Sequence, residues 1–172
     1  MWQPSRPLAL LVPLLAALLA AAGVAGCGKS LDELLDLSRI TSLSATPNPV
    51  PAPSGPGAST AFTLNVGIDA NSGSAVQVYA ANPAQGGRFD LVGAVQGCDN
   101  ANPSCGLRTL SIGCSSRSQP ARAGQRYVSC PSGGVELPTG SHRVRVLITD
   151  CDRFGSCKAT PDDTAEFTLT IQ

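Results

Sequence analysis

The sequence predicts an all-β chain, folded as an antiparallel sandwich of seven or eight strands. Three observations carry that prediction. Apolar and polar residues alternate at period two in run after run beyond residue 60, the pattern of strands with one buried face. The chain holds 18 Gly and 14 Pro, and the breaks between those runs are rich in them. Six of its seven cysteines lie between Cys98 and Cys157, an even set suited to a disulfide framework in an exported domain. So much Gly and Pro also fits a disordered chain; the alternation argues for short strands joined by turns.

The order of elements begins with "LALLVPLLAALLAAAGVAGCGKS", residues 8–30. Arg6 supplies a positive n-region, Leu8 to Leu19 an apolar h-region, and Ala20 to Gly26 a small-residue exit, the three parts of a secretory signal. A retained transmembrane anchor is the alternative, since about 18 apolar residues can span a bilayer. A single Arg before the run and Lys29 after it do not favour that anchor. The residues "VAGC" resemble the lipobox of bacterial lipoproteins. That resemblance implies cleavage before Cys27, a diacylglycerol thioether on its sulfur and acylation of its amine by a chain such as palmitate. Cysteine suits the role because its thiolate is the nucleophile. Several acyl chains give stable anchoring where one is marginal. Gly28 stands where an Asp retention signal would hold a lipoprotein in an inner membrane, which favours the outer membrane. The expected division is therefore 1–26 signal peptide, 27–39 lipidated N-terminus and short helical tether, and 40–172 sandwich. The expected location is the bacterial cell envelope, with the bilayer as partner through Cys27; the periplasmic and surface faces both stay open.

"SLDELLDL" follows, with Ser30 and Glu33 at capping-box spacing and Leu31, Leu34 and Leu35 on one face of a two-turn helix. Ile40 to Thr46 can be a first strand. Pro47, Pro49, Pro51, Pro53 and Pro56 then enforce an extended path, either a spacer or a crossing within the sandwich. Phe62, Leu64, Val66 and Ile68 share one face of the next strand. Val76, Val78 and Ala80 form a further set, and Phe89, Leu91, Gly93 and Val95 another. Leu110 and Ile112 mark a weaker strand, and Tyr127 to Cys130 a short one. Val144, Val146 and Ile148 alternate with Arg143, Arg145 and Leu147. Phe167, Leu169 and Ile171 alternate with Glu166, Thr168 and Thr170.

"GSHRVRVLITDCDRFGSCKATPDDTAEFTLTI", residues 140–171, is similar to the last two strands of bacterial Ig-like domains, above all PKD- and cadherin-like repeats. Gly140, Val144, Val146, Ile148, Thr149, Asp150 and Gly155 match, and "LSATP" resembles the opening of such repeats. The likeness implies an Ig-like sandwich and says little about function, since sandwiches host many. Two departures stand out: Cys151 and Cys157 flank the turn, and His142 replaces an aromatic residue.

With Cys27 given to lipid, Cys98, Cys105, Cys114, Cys130, Cys151 and Cys157 remain, and fifteen pairings are possible in principle. Pairing between sequence neighbours is expected, because "CDNANPSC" and "CDRFGSC" bracket tight loops. Zinc is disfavoured by the absence of C-x-x-C spacing and by a lone distant His. His142, that lone His, invites a general-base reading. It shares the parity of Val144 and Val146, and the resemblance, which places a tyrosine here, implies instead a corner residue bonding the backbone; no G-x-S-x-G context appears. Asp150 and Asp152, with Asp162 and Asp163 nearby, invite a calcium reading; turn aspartates bonding their own backbone explain the same residues. No cofactor and no metal is expected.

Loss of residues 1–26 would leave 146 residues, with 11 basic and 12 acidic side chains. That near-neutral balance excludes a nucleic-acid partner on electrostatic grounds. Aromatic residues make up 4% of the chain, too few for a carbohydrate-stacking platform. The expectation is a non-catalytic binding or assembly lipoprotein with a protein partner in the envelope. An inhibitor or immunity-type lipoprotein that blocks an envelope-targeting enzyme is the alternative, and a hydrolase a more distant one. The expected contact is Asp152, Arg153 and Phe154, presented between two strongly patterned strands. Phe154 could instead fold inward and cap the core. Twelve residues lie between Cys27 and Ile40, a reach below about 45 Å.

Overall fold

The structure, a computed structural model, describes residues 37–70, 73–99, 105–152 and 154–172. The expected signal peptide, Cys27 and the helical turns from Ser30 lie outside the described residues. Nine strands are present among those described: β1 (Arg39–Thr46), β2 (Ser59–Ala70), β3 (Ser74–Asn82), β4 (Arg88–Cys98), β5 (Gly106–Ser118), β6 (Gln125–Ser129), β7 (Val135–Pro138), β8 (Gly140–Asp150) and β9 (Asp163–Ile171). They form two sheets, in the orders β1-β2-β5-β6-β7 and β4-β3-β8-β9, with every neighbouring pair antiparallel. The second and third strands lie in different sheets, β2 beside β5 and β3 beside β8. This is the Greek-key order of an Ig-like sandwich.

The alternating sets build the core as their parity requires. Leu64, Val66 and Ile68 of β2, Val76 and Val78 of β3, Val144, Val146 and Ile148 of β8, and Ile171 of β9 are all at most 2% exposed. A slip of one residue in any of these strands would turn that whole set to solvent, so the pattern fixes the register. The proline-rich segment is a crossing within the sandwich. Val50 pairs with Ile171 in parallel and exchanges backbone hydrogen bonds with Thr170 and Gln172. Asn48 binds the same edge, donating to Thr168 O and accepting from Thr170 N. The edge of β9 is thus covered and not left as a template for pairing.

The opposite side is closed through β4. Cys130 N donates to Val92 O, and Ala94 N donates to Pro131 O. This approach needs glycine, since a Cβ on Gly93 would stand 2.5 Å from that of Cys130.

Two expectations need correction. In β4, Val92 is buried and Leu91 is exposed, because the pairing with β3 shifts register between Val78 and Tyr79 and the alternation changes phase there. Phe89 consequently lies outside the core, under the guanidinium of Arg145 at 3.9 Å from its ring centre. Strand β7 was not expected. Only Val135 and Leu137 face the core from its four residues, too short a run to show a period.

Candidate functional site

The strands run so that the molecule has two distinct ends. One gathers the start of β1, the β2–β3 turn, and the β4–β5 and β8–β9 connections. Arg39 stands opposite Asp69 and Leu107 opposite the same residue; Cys98 and Asp150 flank Ser74 in the other sheet. The described chain enters the sandwich here, at Leu37, and this end is called the tether end after the expected tether. The β1–β2 crossing, the β3–β4 turn, the β6–β7 region and Gln172 form the far end.

Two of three disulfides brace the tether end. Cys98–Cys105 closes the β4–β5 connection between the sheets, and Cys151–Cys157 closes the β8–β9 loop at a one-residue antiparallel bridge. The third, Cys114–Cys130, links β5 to the end of β6 with Cα atoms 4.3 Å apart, the close spacing of a non-hydrogen-bonded cross-strand pair. All three pairs join sequence neighbours, as the loop lengths suggest.

Asp152 shapes the β8–β9 loop. Its Oδ1 accepts from Phe154 N at 2.8 Å and from Ser156 N at 2.9 Å, while Asp152 N donates to Ser156 O. Gly155 has φ 82°, a left-handed conformation that favours glycine. The aspartate is therefore spent on holding the turn. The turn presents Phe154 outward at 80% exposure, so the inward-folded alternative does not hold. Arg153 lies outside the described residues.

Below the loop, the carboxylates that invite calcium have a cation of their own. Lys158 Nζ stands 3.0 Å from Asp150 Oδ2 and 2.9 Å from Asp162 Oδ1. The hydrogen bond to Asp162 is the largest cause of an ammonium pKa raised above its ordinary 10.5; burial opposes it, and the bond to Asp150 and both negative charges add to it. Asp162 Oδ2 accepts from Asp150 N and closes the base of the loop on itself. Two other oxygens hold the incoming chain: Asp150 Oδ1 accepts from the Ser38 hydroxyl, and Asp163 Oδ2 from Ile40 N at 2.8 Å. Asp150 and Asp163 thus clamp residues 38–40 to the base of the loop. The sequence signal was available: Lys158 is one of only two lysines and lies four residues before Asp162.

His142 is far from this cluster, at the start of β8, and is 3% exposed. Its Nε2 lies 2.7 Å from Pro138 O, and its Nδ1 3.3 Å from Ala81 O. One contact ties it to the backbone four residues upstream and the other to β3. This is the corner role that the resemblance implied. Nearby, an open cleft of about 590 Å³ is lined by Asn82, Asp90, Arg122, Tyr127 and Glu136 among others. Its polar groups pair with one another: Asn82 Nδ2 donates to Asp90 at 3.1 Å, and Arg122 with Glu136 forms an ion pair.

No family model matches the chain. No curated protein matches it either. Among solved structures it is similar to one assigned as the ApaA protein of Bordetella pertussis, at 20% identity and a TM-score of 0.37, over 76% of this chain and 92% of that one. At that score the likeness carries no argument.

Proposed function

We propose that the protein is a lipid-anchored lipoprotein of the bacterial cell envelope, acting as a non-catalytic binding or assembly module. The observation that carries this reading is the arithmetic of its thiols. Three disulfides use six of seven cysteines, and the one left over is Cys27, in "VAGC". A signal peptide followed by that lipobox accounts for the odd cysteine, and an oxidising compartment outside the cytoplasm accounts for the even six. Acylated Cys27 holds the module to the bilayer, in the outer membrane if the organism has one. The contact surface is the loop carrying Asp152, Arg153 and Phe154; Asp152 and Phe154 are exposed, Cys151–Cys157 closes the loop, and Asp152 bonds the backbone of Phe154 and Ser156. Little flexibility is lost when such a loop docks. Its partner is a component of the membrane that carries the anchor.

Metabolic labelling with a palmitate analogue tests the reading. The parent protein incorporates label and partitions into detergent, and Cys27→Ala does neither. A Cys27→Ala protein that stays with the membrane and retains residues 1–26 would replace the lipid anchor with a transmembrane one.

A further inference from the structure

The topology fixes which end of the sandwich the anchor holds. Residues 1–36 lie outside the described chain, and the described chain begins at Leu37, at the tether end. Ser38 and Ile40 are clamped there by Asp150 and Asp163, so the entry point cannot swing to the far end. Nine residues lie between Cys27 and Leu37, a span of at most about 35 Å when fully extended.

The apolar surface of the domain is distributed in the same sense. Leu107 and Phe154 are 74% and 80% exposed, and Leu37 is 37% exposed. All three are at the tether end: Leu37 adjoins Ser38, Leu107 lies across β2 from the start of β1, and Phe154 tips the loop that begins at Asp150. The other large hydrophobics exposed among the described residues, Leu91 and Tyr127, are at 38% and 37% and line the far-end cleft. Single exposed hydrophobics are common on soluble surfaces, but the two most exposed ones among the described residues both stand at the end where the chain enters. A lipid interface gives a reason for that placement, since aromatic and aliphatic side chains settle at the boundary of headgroups and acyl chains.

We infer that the tether end rests on the bilayer carrying the anchor, with Phe154, Leu107 and Leu37 entering its interface. The inference depends on the lipid-anchor reading above and names the partner of the loop as lipid. Charge supports an apolar contact: among the described residues at this end Arg39, Arg108 and Lys158 are outnumbered by Asp69, Asp99, Asp150, Asp152, Asp162 and Asp163, so attraction to anionic headgroups adds nothing. The bracing also fits, because disulfides close both the β4–β5 and the β8–β9 connections at their bases. The domain then lies close to the membrane surface with the far-end cleft turned away from it.

The test uses the complete lipoprotein, purified from membranes and reconstituted in phosphatidylcholine vesicles. Trp2 is the only tryptophan and is lost with the signal peptide, so Phe154→Trp and, at the far end, Gln85→Trp each install a single fluorescent reporter. Lipids brominated near the headgroup end of the acyl chains should quench the reporter at position 154 at least twofold, and its emission should shift to the blue. The reporter at position 85 should be unaffected, and neither result should change with added anionic lipid or salt. Intact mass separates the two possible failures. A Phe154→Trp protein that bears the acyl mass but is unquenched overturns this inference and leaves the anchor standing. A protein without that mass, free of the vesicles, overturns both. A reporter at position 154 that is unquenched in pure lipid but shifts to the blue in native membranes assigns the loop to a protein partner, against lipid.

Discussion

The two ends of the sandwich are held together by different physics. At the far end, stability comes from burial and from polar groups facing the backbone: His142 between two carbonyls, Asn82 bridging to Asp90, and Asn48 covering β9. At the tether end Phe154 is exposed and the β8–β9 loop turns at Gly155, and covalent and ionic links add to the packing of Ile68 and Ile148: two disulfides, and Lys158 between Asp150 and Asp162. The contrast teaches where contact can occur. A surface that must meet a partner cannot bury its own apolar groups, so its shape is fixed by cross-links that need no core.

The largest expected effect strikes that bracing. Replacing both Cys151 and Cys157 by Ser should cost about 2–4 kcal/mol, from the freed unfolded chain. Hydrogen exchange should rise in β8–β9 loop amides while β5 and β6 stay protected. Equal loss of protection at both ends would remove the distinction between them.

At the far end, His142→Ala should cost about 1–3 kcal/mol, because it leaves Pro138 O without its ring partner and opens space beside β3. His142→Tyr should be tolerated better, since a phenol can donate to the carbonyl upstream as a corner tyrosine does. Calorimetry that finds His142→Ala as stable as the parent would contradict the structural role.

Lys158 sharpens the ionic half of the comparison. Its side chain is 52% exposed, so solvent screening holds its contribution to about 1 kcal/mol. Its pKa is raised on folding, so that contribution is complete below pH 10.5 and is lost as pH climbs through the higher folded value. The difference in melting temperature between the parent and Lys158→Met should be largest near neutral pH and close at strongly alkaline pH. A gap that widens with pH would reverse the sign and refute the assignment.

Much of this was legible in the sequence. Phe62 to Ile68, Val76 to Ala80 and Val144 to Ile148 each announced a strand and its buried face, because period-two burial leaves a period-two sequence. The neighbour pairing of cysteines followed from loop length. What stayed hidden has physical causes. The phase change at Val92 comes from a bulge, and one extra residue in a strand leaves no mark on composition. Strand β7 is too short to carry a period. The four-residue spacing of Lys158 and Asp162 is visible in the sequence, but the contact of Lys158 with Asp150, 8 positions away, forms only once β8 and β9 have paired. The clustering of Leu37, Leu107 and Phe154 is a property of topology, since they come from three separate segments.

The smallest expected change in stability is at the proposed contact itself. Arg153→Ala with Phe154→Ala should move the melting temperature by the equivalent of less than about 0.5 kcal/mol, as for surface positions generally. A drop of many degrees would make Phe154 a core residue.

The claim that the tether end is the working surface is tested most directly in living cells, by placing a photo-reactive amino acid at Phe154 or at Gln85 and irradiating. The expected result is adducts with membrane components from position 154 and none from position 85. Adducts from position 85, with none from position 154, would move the contact surface to the far end and contradict that claim.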